Sequence, residues 1–257
     1  MELYKTILFI HVLFGFSALT TGIVPMVAKK GGKAHKFWGN VYYWSMFGVF
    51  VTTLGLFALR PTEVRLQFFL CIAVLSFYMT FAGDRVLKMK KSATQATRLD
   101  RTVALIALGC GLLMLGYAGY SVLVLHNTYL AILFSVFGVV LFTNANADWK
   151  LYRGKTPSEK MHWYFGHIGR IMGAYIATVT AFCVNMTRYY PEGTSIYLQL
   201  IPWLAPGLIL GVGTSYYTKR QREKRSMPVE YGFITGGLRR VLVRQPKQRA
   251  SAEELRA

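Results

Sequence analysis

The chain of 257 residues holds five histidines, and three of them stand in a narrow pattern. His35 opens "HKFWG", His162 opens "HWYFG", and His167 follows five residues later. An imidazole nitrogen can ligate haem iron or zinc, and imidazole can also pass a proton near neutral pH. Their company is polar as well: Asp84 and Arg85, the stretch "TNANAD" with Asn144, Asn146 and Asp148, and Arg170. A cation such as Arg170 could hold haem propionates or another anion, or pair with Asp84 or Asp148. His11 and His126 form a second, thinner set.

What must position these residues is a set of apolar runs. The composition is 53% apolar and 15% aromatic, and the mean hydropathy is +0.34. Seven runs, Ile7–Ala28, Phe37–Leu59, Leu66–Ala82, Thr102–Leu125, Tyr129–Ala147, Trp163–Thr187 and Ile196–Tyr217, are apolar on nearly every face. Each is about the length a helix needs to cross a hydrocarbon core of roughly 30 Å. Backbone groups in lipid must be satisfied internally, so these runs are expected to be helices; their length and lack of alternation exclude a barrel. The fold class is therefore all-α, a polytopic bundle of about seven transmembrane helices over residues 1–218, followed by a basic tail over 219–257. The first run lacks a basic leader and a polar cleavage zone, and reads as a retained span.

The formal charge of +19 does not point to nucleic acid, because the charges sit in short clusters between spans. Twenty-five of the thirty Lys and Arg residues fall in the loops after the first, third and fifth runs and in the tail. Only Lys5, Arg60, Arg65 and Arg188 lie on the other side. The positive-inside bias then places the basic loops and C-terminus in the cytoplasm and the N-terminus outside, in a bacterial inner membrane. The partners implied are the bilayer and its anionic headgroups, which meet the basic loops and tail, with Arg239, Arg240 and Arg244 lying near the inner leaflet if "EYGFITGGLRRVLV" rests there. Cys71, Cys110 and Cys183 lie inside spans without metal spacing and read as packing residues.

With that orientation His35, Asp84, Arg85, Asn144, Asn146, Asp148, His162, His167 and Arg170 all belong to the cytoplasmic third. On an ideal helix Arg170 lies about 80° round from His162 and His167 about 140°. Arg170 thus points between the two histidines, and one ligand could meet all three. His11 shares a stripe with Gly15, Ala18 and Gly22 that should lie close against a neighbouring helix. The two His-aromatic-Gly openings also invite a 3+1+3 parallel repeat, with the fourth span as linker.

Three chemistries suit this set. Histidines from different helices could ligate haem b, with His11 and His126 as an outer tier of a transmembrane electron path. Against it, no span carries the two histidines, about fourteen residues apart, that membrane cytochromes often place on one helix. His35, His162 and His167 with Asp84 could hold a divalent metal and activate water for an intramembrane hydrolase, although no HExxH spacing is present. Or the cluster could pass a small anion or a proton, as in a transporter, with Pro25, Pro202 and Pro206 permitting movement.

The segment "KKGGKAHKFWGNVYYWSM", with His11 and Gly15 before it and His35, Gly39 and Tyr42 within it, resembles uncharacterised bacterial multi-pass membrane proteins of the domain-of-unknown-function 2306 type. The stretch "MHWYFGHIGRIMGAYIATVTAF", with His162, Met172 and Thr180, is similar to that family's later region. His167 and the long basic tail depart from the pattern. The resemblance implies the helical architecture and singles out histidines, and brings no activity. The expectation is a cytoplasm-facing His/Asp/Arg pocket holding haem or a metal in a redox role, with transport and hydrolysis as the alternatives; whether it is an enzyme stays open.

Overall fold

The computed structural model describes residues 2–90, 96–155 and 161–224. Among them the chain forms α1 (Glu2–Thr21), the short α2 (Ile23–Val27), α3 (Lys33–Leu59), α4 (Val64–Lys88), α5 (Arg98–Leu123), α6 (Thr128–Tyr152), α7 (His162–Asn185) with a 3-10 turn at Met186–Tyr189, and α8 (Ile196–Lys224). Seven helical spans are long and apolar enough to cross a membrane, α1 and α2 together making the first. The protein is a multi-pass all-α bundle.

Local sequence explains the ends. Gly31, at φ +76°, occupies the left-handed region that glycine tolerates and turns the chain into α3. Thr97 and Asp100 form a reciprocal capping box on α5. The Asn127 side chain accepts from the Leu130 amide and caps α6. Pro202 and Pro206 lie inside α8, where neighbouring helices can compensate the lost amide donors.

α4 is the central strut. It packs on α3, α5 and, most extensively, α7, while α7 in turn carries α8. Gly83 makes the α4–α7 approach close: a Cβ there would lie 2.8 Å from Ile171 Cδ1. α1 lies along α3, with Phe14 seated on Gly48 and Gly22 beneath the Tyr175 ring of α7. α5 and α6 form a tight hairpin in which Gly111 meets the Phe142 backbone and Gly138 meets Met114. At the end away from the basic loops, Phe68, Phe134, Phe137 and Trp203 form an aromatic core, Phe68 and Phe134 having centroids 4.8 Å apart.

Two features of the packing depart from chain order. Chain neighbours are not always the main partners, since α7 docks chiefly on α4 and α8. The packing repeats only in part between the two triplets: α3 lies on α4 as α7 lies on α8, but α1 lies along α3 whereas α6 lies along α5. α8 continues without a break through Lys219 to Lys224. The rest of the tail, including Arg239, Arg240 and Arg244, lies outside the described residues.

Candidate functional site

The basic-loop end of the bundle gathers the ends of α2, α4 and α6 and the starts of α3 and α7. α2 stops at Val27, so its last carbonyls lack a helical partner. His35, on the first turn of α3, fills one of these vacancies: its Nδ1 lies 2.9 Å from the Pro25 carbonyl oxygen. Lys30 Nζ donates to the same oxygen at 2.9 Å and also to the Met26 carbonyl. His167, on the second turn of α7, places its Nδ1 2.8 Å from the Gly83 carbonyl oxygen of α4. The missing side chain at Gly83 is what lets α7 come near enough for that bond.

A carbonyl oxygen can only accept, so both Nδ1 atoms donate and carry the proton. In a neutral imidazole the lone pair then lies on Nε2. The two rings stand edge to face with centroids 6.3 Å apart and planes at 62°. The structure therefore brings together His35 and His167, held by main-chain oxygens from two other helices.

The other expected residues go elsewhere. Arg170 folds back over Gly166, where a Cβ would sit 2.6 Å from its Nη1. It reaches Asp148 of α6, with Nε 3.2 Å from Oδ2 and Nη2 donating to Oδ1. Tyr78 of α4 donates to the same carboxylate at 2.7 Å. Asp148 is 1% exposed at its side chain and Arg170 14%, so this is a buried ion pair joining three helices, and Arg170 is neither solvated nor shared between histidines. Asp84 pairs with Lys88 one turn on, at 3.4 Å, and both are well exposed. Asn144 is buried and returns its amide to the Val140 carbonyl at 2.8 Å. The Nε2 of His162 is enclosed and has no hydrogen-bond partner among the described residues.

The outer histidines are also separate. His11 Nδ1 lies 2.9 Å from Thr52 Oγ1 on α3, whereas His126 is exposed in the α5–α6 turn at φ 47°. Among the described residues no group of three or more His, Cys, Asp or Glu is gathered to hold a metal ion.

A second ion pair escaped the sequence reading. Arg85 grips Asp100 of α5 with Nε–Oδ1 2.6 Å and Nη2–Oδ2 2.7 Å, while the Thr97 amide and hydroxyl donate to Asp100 Oδ2. The Thr-x-x-Asp spacing announces the cap; nothing in the sequence announces the arginine's reach across the loop. The carbonyls of Pro25 and Gly83 were equally hidden, since every residue has one. Comparison with family models, curated proteins and solved structures returned no match.

Proposed function

We propose that this protein is an electron-transfer protein of the bacterial inner membrane, with basic loops in the cytoplasm, and that His35 and His167 would hold a haem b. The observation that carries the reading is the histidine pair itself. A metal-bound imidazole nitrogen sits about 2 Å from the ion, so two rings across one ion have centroids roughly 6 Å apart. The observed 6.3 Å is of that size, in rings set edge to face, so holding the iron would require them to turn until both Nε2 atoms face it. Both Nδ1 atoms are tied to backbone oxygens, the arrangement that fixes tautomer and orientation in ligating histidines.

The donor set also favours haem over a hydrolytic metal. A catalytic zinc takes three protein ligands plus water, whereas a porphyrin brings four nitrogens and asks the protein for two. Bound haem would supply one-electron chemistry. The residues of this chain orient the ligands through Pro25 and Gly83, and Arg170 spends its charge on Asp148 instead of a propionate. Lys30, whose Nζ shares the Pro25 oxygen with His35, is a candidate cation.

The test is absorption spectroscopy of the protein expressed with haem supplied. A Soret band near one haem per chain is expected, lost in His35→Ala and His167→Ala and kept in His162→Ala. A colourless wild type, or a band indifferent to both substitutions, refutes the assignment. Stoichiometric zinc would move the reading to hydrolysis.

A further inference from the structure

The last helix does not stop where its apolar run stops. The run Ile196–Tyr217 rises roughly 33 Å at 1.5 Å per residue, about one hydrocarbon core. α8 then continues unbroken to Lys224. Lys219, Arg220 and Glu223 stand roughly 3–9 Å past Tyr217, the depth of a headgroup layer about 5–7 Å thick on each side of the core. One side of this extension is fixed to the bundle, the Arg222 guanidinium lying 4.6 Å from the centre of the Phe165 ring of α7. Arg220, two residues earlier, points about 160° away round the helix. It therefore faces outward.

That outward face is graded from apolar to charged. At 100° per residue Ile209, Val212, Gly213, Tyr216, Arg220 and Glu223 fall within an arc of about 100°, with Lys219 at its edge. Ile209 and Val212 are 71% and 61% exposed, and Gly213 between them has nothing within 4 Å of where a side chain would start. Above this notch Tyr216, Lys219, Arg220 and Glu223 line an open surface cleft of about 330 Å³. Cations at this depth attract any anionic lipid, so the carboxylate decides. At the basic end of the bundle Asp84, Asp100 and Asp148 each hold a lysine or an arginine. Glu223 holds none among the described residues, although Lys219 and Arg220 lie one turn before it. Lys29, Lys33 and Lys36 also offer charge, but no acidic residue stands among them in the chain.

We propose that this face of α8 binds one molecule of phosphatidylglycerol. The lipid's phosphate oxygens accept from the Lys219 ammonium and the Arg220 guanidinium. The two hydroxyls of its glycerol headgroup donate to the Glu223 carboxylate. An acyl chain lies in the Gly213 notch beside Ile209 and Val212, and the Tyr216 ring flanks the ester level between. Two cations and one carboxylate leave one positive charge, which matches the single negative charge of this lipid. Phosphatidylethanolamine presents an ammonium to Glu223 but is neutral, and gains nothing from that remaining charge. The inference goes beyond the haem reading and needs only that α8 crosses a bilayer.

The test is native mass spectrometry of the full chain in dodecyl maltoside, titrated with dioleoyl lipids. One phosphatidylglycerol per chain is expected, bound about tenfold tighter than phosphatidylcholine or phosphatidylethanolamine. Lys219→Gln and Arg220→Gln should each weaken it about fivefold, while Lys36→Gln, at the exposed start of α3, leaves it unchanged. Phosphatidylmethanol has the same charge and no headgroup hydroxyls. It should bind about threefold more weakly to the wild type, and Glu223→Ala should erase that difference. Circular dichroism and elution volume establish that each variant is folded. Equal binding of phosphatidylglycerol and phosphatidylethanolamine, or equal losses in Arg220→Gln and Lys36→Gln, overturns the site. A phosphatidylmethanol difference that survives Glu223→Ala overturns the headgroup contact. Displacement of the lipid by soluble glycerol phosphate at matching concentration overturns the lipid assignment, because the apolar notch would then contribute nothing.

Discussion

Removing the Asp148 carboxylate is the most revealing single perturbation of this bundle. In Asp148→Ala the Arg170 guanidinium, 14% exposed, is left buried beside the Tyr78 hydroxyl with no acceptor for either. Breaking one side of a buried pair costs about 3–5 kcal/mol, and each 1.4 kcal/mol is tenfold. The folded-to-unfolded ratio should therefore fall by about a hundred- to several-thousand-fold. Tyr78→Phe removes one hydrogen bond and should cost about 0.6–1.5 kcal/mol, the range for such bonds in bilayers and in water. The double change Asp148→Leu/Arg170→Met removes both charges together and should lie within about 1 kcal/mol of wild type, because well-packed apolar replacements spare the desolvation of both ions. Reversible unfolding in mixed micelles, titrated with dodecyl sulfate, measures all three. If Asp148→Ala costs under about 1 kcal/mol, or the double variant is as damaged as the single, Arg170 finds water and the buried-pair argument fails.

Two further outcomes follow from the packing and the charge pattern. Gly83→Ala places a Cβ 2.8 Å from Ile171 Cδ1 and 3.2 Å from Arg170 Cβ, so it should push α7 off α4, break the His167 hold and lower Soret absorbance per chain; Gly109→Ala, with nothing within 4 Å, should leave both absorbance and unfolding unchanged, and equal effects of the two would refute the close approach. In a background with Cys71, Cys110 and Cys183 replaced, a cysteine at Lys30 should resist a membrane-impermeant maleimide in whole cells while one at Glu63 is labelled, and the reverse pattern would invert the orientation.

The spans were legible because lipid demands long apolar runs, and each of the seven marked runs falls on one helical span to within two residues. Their ends were less so. α4 continues past Ala82 to Lys88, α6 past Ala147 to Tyr152 and α8 past Tyr217 to Lys224. Hydropathy falls where the hydrocarbon ends, but the ladder of amide bonds continues. The polar residues could be placed at one end of the bundle from sequence, whereas their partners could not. Arg170 had Asp84 and Asp148 as equal candidates on paper; the choice of Asp148 depends on how α4, α6 and α7 lie together, which short loops do not encode. An ideal wheel put Arg170 between His162 and His167, yet a long side chain goes where a carboxylate waits, and Gly166 clears its way. The separation of His162 from the other two has the same origin, since His167 turns to a carbonyl of α4.

The α4–α7 contact has a consequence for biogenesis. The Gly83–His167 bond spans 84 residues, and translation at about 5–20 residues per second separates the two by roughly 4–17 s. During that interval the nascent α4 sits in the bilayer with Met79, Val86 and the Gly83 notch facing lipid or a chaperone in place of α7. Assembly of the histidine pair is thus a post-insertion event, completed only when the sixth span leaves the translocon and slots into a half-built bundle that has been waiting for it.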